Sequence, residues 1–267
     1  MFNLALCVGL LPFIGPIARL VDLILPAPAA AGDDAGPRHL DESLLDTPPV
    51  ALAMAARETL RMGDIIEGML ANTLRVLEQN DDQLRREVEA ADDDLDQLHE
   101  AIKLYLTRLS RGELDDEDSR RAMDIIAFTT NLEHVGDIVD KNLMELAAKK
   151  IKNRLQFSEE GFSEIEKMHE RLMENMKLAL NVFIAGDPRM ARRLIEEKVQ
   201  FREMERAASE SHLARLRSGR VESLETSGLH LDVLRDLKRI NSHLTSVAYP
   251  ILETTGALVE SRLKQEA

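Results

Sequence analysis

An all-α fold, a duplicated antiparallel three-helix bundle, is predicted by three features of the sequence. Apolar residues recur at threes and fours, as at Leu95, Leu98, Ile102, Tyr105, Leu106 and Leu109, the spacing that gives a helix one buried stripe. Leu, Ala, Glu, Arg and Met are abundant while aromatics make up only 3%, a bias away from sandwiches and barrels. Two three-helix blocks also match each other: Arg108-Leu109-Ser110-Arg111-Gly112 aligns with Arg215-Leu216-Arg217-Ser218-Gly219 at an offset of 107, and Leu132-Glu133-His134-Val135 with Leu237-Lys238-Arg239-Ile240 at an offset of 105. Long amphipathic helices joined by short turns pack antiparallel.

The chain opens with an apolar segment over residues 1–25, in which only Arg19 and Asp22 are charged and which contains Leu11, Pro12, Phe13 and Ile14. Its uncharged run from Met1 to Ala18 nearly reaches the roughly 20 residues that a bilayer core requires, although Pro12, Gly15 and Pro16 make it a poor isolated helix. Three readings fit: a transmembrane or re-entrant remnant, a signal peptide cleaved near Ala27–Ala31 but lacking the usual positive start, and an apolar arm folded onto the domain. Residues 26–49, rich in Ala, Pro, Gly and Asp, read as a linker. Asp46-Thr47-Pro48 then marks a helix start, since Pro is tolerated in the first turn.

Helices follow over 50–79, 81–111 and 114–153, the first repeat (50–153), and over 158–185, 187–218 and 221–264, within the second repeat (154–267). Gly112 and Gly219 follow Arg-rich last turns, and Gly186-Asp187-Pro188 joins a helix stop to an N-cap and a first-turn Pro. Pro250 should kink or end the sixth helix, because it lacks an N–H and crowds the preceding turn.

A net charge of −14 with 48 acids excludes a nucleic-acid binder, which needs basic residues that outweigh local acids. The charge is unevenly spread. Residues 81–118 hold fourteen acids and five bases, whereas residues 187–220 hold six acids and nine bases. Equivalent elements of the two repeats therefore differ in polarity, either as two solvated faces or as a bipolar surface that orients docking, including docking onto a second copy as a homodimer. Cys7, the only cysteine, reads as a small hydrophobe and suggests a reducing compartment.

No nucleotide-binding loop, Gly-x-Ser-x-Gly elbow or Cys-x-x-Cys pair occurs, so the expectation is a non-enzyme. His99-Glu100 and His169-Glu170 begin like a zinc-protease helix, but Lys103 and Met173 stand where the second His belongs. Both read as solvated. One constellation remains: Glu133, Asp137 and Asp140 stand at i, i+4 and i+7 on the third helix, a single stripe about 110–120° from the apolar one on a helical wheel of roughly 100° per residue. Aligned carboxylates suit a hard or borderline cation. In a chain this acidic they are also what a solvated face produces, and the residues alone favour at most substoichiometric metal. Asp92, Asp93, Asp94 and Asp96 on the preceding helix either add ligands or are exposed.

The segment Asn131-Leu132-Glu133-His134-Val135-Gly136-Asp137-Ile138-Val139-Asp140-Lys141-Asn142, in the last helix of a duplicated bundle, resembles the acidic E/D-x-x-x-D motif of PhoU proteins. The apolar head, with Leu11-Pro12-Phe13-Ile14-Gly15-Pro16-Ile17-Ala18-Arg19-Leu20-Val21, looks like the end of the membrane domain of bacterial sodium/phosphate cotransporters, in which a linker leads to a PhoU-like cytoplasmic domain. The resemblance covers essentially the whole chain. It implies a regulatory or accessory domain at the cytoplasmic face of the bacterial inner membrane, with the transporter membrane domain as partner in cis or in trans. It also implies a divalent or multinuclear metal (Fe, Zn or Mn) at Glu133 and Asp137, with Asp140 as neighbour. In the second repeat the motif is degenerate: Lys238, Ser242 and Thr245 stand at the equivalent positions, which leaves no anionic ligand there. A free-standing PhoU-like regulator and a secreted helical bundle are the alternative readings.

Overall fold

Two prolines open the first long helix, α1 (Pro48–Gln79), where a fixed φ suits the helix and a missing N–H leaves nothing unsatisfied. Asn80 ends it in the left-handed region at φ 58°, and the Asp81 carboxylate then accepts from the Gln83 and Leu84 N–H groups to start α2 (Asp82–Leu109). Asp115 caps α3 (Asp116–Ile138) in the same way. Ser158 starts α5 (Glu159–Ala185), Gly186 closes it at φ 59°, and Asp187 caps α6 (Pro188–Arg217). These side-chain oxygens satisfy first-turn N–H groups that have no helical partner.

The computed structural model describes residues 36–219, 221–254 and 256. The apolar head, with Leu11, Pro12, Phe13 and Ile14, lies outside them, as do residues 257–264 of the expected sixth helix. Among the described residues all regular structure is helical, and no helix is long and apolar enough to cross a membrane.

Two expected helices are interrupted. The third runs as α3, a π-helical turn over Val139–Met144 and α4 (Glu145–Lys152). A π turn inserts a residue into the ladder and resets the register; here Val139, Leu143 and Met144 continue the buried stripe. The sixth divides into α7 (Val221–Glu225), α8 (Ser227–Leu244), a 3-10 turn over Thr245–Val247 and α9 (Ala248–Thr254). The 3-10 turn lies just ahead of Pro250, which has no N–H for the Ser246 carbonyl and crowds it.

Within the first repeat α1 packs on α2 and α3; within the second α5 packs on α6 and α8. The repeats meet where α3 faces α8 and α1 faces α5. Phe128 and Phe183 stack across this boundary with centroids 4.7 Å apart. Gly63 lets α5 approach, since a Cβ there would lie 2.7 Å from Leu180 Cδ2. His169 corrects its sequence reading. It is buried, and its Nε2 lies 2.7 Å from the Leu70 carbonyl, joining α5 to α1. His99 is half-buried rather than solvated, with Nε2 3.5 Å from Thr130 Oγ1.

The far end of the second repeat is fastened by a polar knot. Glu164 accepts from both Arg215 Nη groups at 2.7 Å, and His230 stacks on His212 at 4.7 Å.

From Gly36 onward, the stretch read as linker docks on the bundle. The Glu58 carboxylate, fully buried, accepts from the Arg38 and His39 N–H groups at 3.1 and 2.8 Å. Arg61 donates to Glu58 Oε1 and to the Gly36 carbonyl, both at 2.7 Å, and the Tyr105 hydroxyl donates to the Asp41 carbonyl at 2.9 Å. Leu40 and Leu45 pack on the core. Glu58→Ala strands these donors, which costs about 1–3 kcal/mol for each group left buried and unpaired. The expected result is faster limited proteolysis within residues 36–47 while α1 to α6 keep their far-UV signature. Unchanged cleavage there would show that apolar contacts alone hold the strap.

Candidate functional site

The acidic residues lie on α3 and on the π turn that follows it. Glu133, Asp137 and Asp140 are each half-buried along one edge of α3 and its π turn, beside the core rather than within it. Asp137 pairs with Lys141 one turn on. His134 is exposed, with Nε2 3.6 Å from Glu133.

The stripe faces α2, and there the structure adds a residue whose role the sequence left open. Asp92 is only 6% exposed, and its Oδ1 has no hydrogen-bond partner. It occupies an apolar-stripe position between Val88 and Leu95, at i+4 and i−3, a signal visible in the sequence. Gly136 makes room for it: a Cβ there would collide with Leu95 Cδ2 and lie 2.6 Å from Asp92 Oδ1. Burial first, then the charges of Asp96, Asp140 and Asp137, push the Asp92 carboxyl up to about 7. Asp140 is raised as well, by burial and then by Glu89 and other neighbouring acids. Asp93 and Asp96 are exposed and Asp94 is half-buried.

A buried carboxylate oxygen without a partner, flanked by further carboxylates, fits a hard cation in the donor set it offers. No three His, Cys, Asp or Glu side chains among the described residues stand close enough to hold one ion as they lie.

The second repeat differs. Lys238 pairs with Glu205 at 2.7 Å, the Ser242 hydroxyl donates to the Lys238 carbonyl at 3.0 Å, and Thr245 is buried, donating to the Ser242 carbonyl at 3.2 Å. The repeats touch beside the acidic stripe. His134 and His243 meet edge-on at 5.1 Å, His243 Nδ1 lies 2.9 Å from Asn131 Oδ1, and Asn142 reaches Asp236 at 3.4 Å.

The PhoU domain profile matches residues 59–145 and 165–251, one match in each repeat. The chain belongs to the PhoU domain family. Solved PhoU structures share its fold: the Pseudomonas aeruginosa protein superposes with a TM-score of 0.70 at 20% identity, over 78% of this chain and 98% of that one. The Streptococcus pneumoniae phosphate transport system regulatory protein PhoU gives 0.71 at 18% identity, over 80% and 100%. Among curated proteins, the "Putative inorganic phosphate export protein YjbB" of Escherichia coli K12 is 43% identical over 252 residues, and that of Salmonella typhimurium LT2 is 42% identical over 254. Both alignments take in 94% of this PhoU-family chain but 46% of the relative. The chain spans about half the length of the curated relatives that it matches.

Proposed function

We propose that this chain is the PhoU-type regulatory module of a phosphate-transporting membrane protein, held at the cytoplasmic face of the bacterial inner membrane. Its partner is the transporter membrane domain, in cis or in trans, and residues 1–25 are its membrane contact. The supporting observation is the YjbB match, in which nearly all of this chain aligns at 43% identity yet accounts for 46% of the relative. In this reading the helical module modulates transport rather than conducting it, because a solute pathway requires several spans around a midplane site. Sodium as the coupling ion comes from the cotransporter resemblance. Phosphate flux measured with and without a sodium gradient tests it.

A free-standing regulator is the second reading, favoured by the near-complete coverage of solved PhoU chains by this one. An immunoblot against residues 53–267 on fractionated source cells separates the two. A membrane-bound band well above 30.0 kDa supports the transporter module, and a soluble band near that mass overturns it in favour of the second reading.

Within either reading, Glu133, Asp137 and Asp140, with Asp92 beneath them, are the residues that would hold a divalent cation, once their side chains turn toward one another from the positions in which no three stand close enough to share one ion. A metal held there would supply a positive centre that neutralises the clustered carboxylates. Elemental analysis of the purified protein is expected to find divalent metal that is lost in Glu133→Gln/Asp137→Asn. Metal content that does not change in the double variant, or its absence from the wild type, overturns this assignment.

A further inference from the structure

The two repeats superimpose in burial. Val88, Leu95, Ile102 and Leu106 of α2 correspond to Leu194, Phe201, Ala208 and His212 of α6 at a constant offset of 106, and all eight are buried. In that register the acidic face of α2 has a counterpart of different chemistry: Glu89, Asp92, Asp93 and Asp96 become Ile195, Lys198, Val199 and Arg202. On the third helices, Glu133 and Asp137 become Lys238 and Ser242. These six second-repeat residues line a single cleft, together with Arg239 and Tyr249. Where the first repeat gathers carboxylates, the second has a cleft whose lining carries four Lys or Arg side chains and no carboxylate.

Part of that charge is compensated from outside the lining. Lys238 pairs with Glu205, and Arg239 with Asp236 at 3.0 Å. Lys198 and Arg202 make no ion pair with any described residue. Lys198 Nζ instead lies 3.2 Å from the Tyr249 hydroxyl and 5.3 Å above its ring. Among the described residues two cations thus stand uncompensated at the cleft, and a third and fourth stand beside them in shared pairs. Such an array favours an anion, and Arg and Lys side chains form strong charge-assisted hydrogen bonds to phosphoryl oxygens. The cleft is about 480 Å³, within the size range of small-molecule sites. Ile195, Val199 and the Tyr249 ring give it an apolar wall beside the charge.

We propose that this cleft binds a phosphate group, held by Lys198 and Arg202, with Ile195, Val199 and Tyr249 forming the wall for whatever apolar part carries that group. The site stands on the second repeat alone and does not depend on metal in the first, or on which protein the module regulates.

Isothermal titration of the full chain tests it with three probes: inorganic phosphate, adenosine monophosphate, and phosphatidylglycerol/phosphatidylcholine vesicles set against phosphatidylcholine alone. Saturable binding of at least one probe is expected, weakened about tenfold or more in Lys198→Gln/Arg202→Gln, as the loss of charged hydrogen bonds requires. Arg192→Gln/Arg206→Gln removes the same charge from α6 outside the cleft and should stay within about twofold, the scale of screened surface charge. Single Arg202→Gln, at an exposed position, repeats the test if the double variant folds poorly. The probe that shows the cleft-dependent loss identifies the source: free phosphate, a phosphorylated small molecule or a lipid headgroup. No saturable binding of any probe, or equal loss in the two double variants, overturns the proposal.

Discussion

Phe128→Ala is expected to destabilise the protein by about 3–5 kcal/mol, the range for truncating a buried aromatic. Phe128 is 2% exposed and stacks on Phe183 of the other repeat at 4.7 Å. Arg121 in turn lies over the Phe183 ring at 4.8 Å and donates to its carbonyl. The contact therefore belongs to the boundary between repeats as well as to the core of the first. Removing the ring leaves a cavity on both sides of that boundary, and the melting temperature should fall by on the order of 10 °C. Met123→Ala, on the same helix but at a 70% exposed position, should change stability by no more than about 0.5 kcal/mol. Equal effects from the two variants would show that the repeats are not fastened at Phe128. If the loss appears as a second, separate unfolding transition, the repeats unfold independently once the contact is gone.

The helices were legible because their determinants are local. Apolar period, Asp and Ser caps, and the Gly and Asn stops at residues 186 and 80 all act within a few positions, so most boundaries of α1 to α6 fall close to where the sequence puts them. Pro250 was likewise readable, since its effect reaches only one turn back. What the sequence hid depends on distant partners. His169 looks like any polar helix residue until α1 brings the Leu70 carbonyl to it. The strap at residues 36–47 has a linker's composition, and only the buried Glu58, some twenty positions on, gives its N–H groups a home. The π turn at Val139–Met144 leaves no mark that a helical-wheel count would register.

The candidate site was half legible. Glu133, Asp137 and Asp140 could be placed on one edge from spacing alone, and Lys238 and Ser242 could be recognised as their altered counterparts. The opposing face was legible only in part, through the apolar-stripe position of Asp92 between Val88 and Leu95. Whether Asp92 is exposed or buried depends on how α2 rolls against α3, and on Gly136 leaving room for its carboxylate. The correspondence of Asp92 and Asp96 with Lys198 and Arg202 emerges only when the repeats are aligned by burial. Matching the turn at Gly112 and Gly219 gives an offset one residue longer.

Asp92→Asn should stabilise the metal-free protein at pH 8, with a gain that disappears on acidification. Burial and the neighbouring carboxylates hold the native Asp92 carboxyl at about 7, against an ordinary value of 3.8. The native state thus binds this proton more tightly than the unfolded chain does. Stability from this group is fully present below about pH 4 and is lost as pH rises through the folded value, since the charged form is the one that burial penalises. At roughly 1.4 kcal/mol for each tenfold difference in proton affinity between the two states, the loss is on the order of 2–4 kcal/mol by pH 8. Asn has the same shape and no charge, so the contact with Gly136 is kept and the penalty is not. His230 runs the opposite way, because burial lowers its pKa to about 4 and the native state resists its protonation as pH falls through about 6.5. That slope is common to both proteins and cancels in their difference. Urea midpoints measured with a chelator present, after checking that the denaturant dependence is unchanged, should show the variant and the wild type converging near pH 4. The variant should then lead by a margin that grows to pH 8. A variant no more stable than the wild type at pH 8 would show that Asp92 carries its charge without penalty, and that the groove beneath Glu133 and Asp137 is open to water.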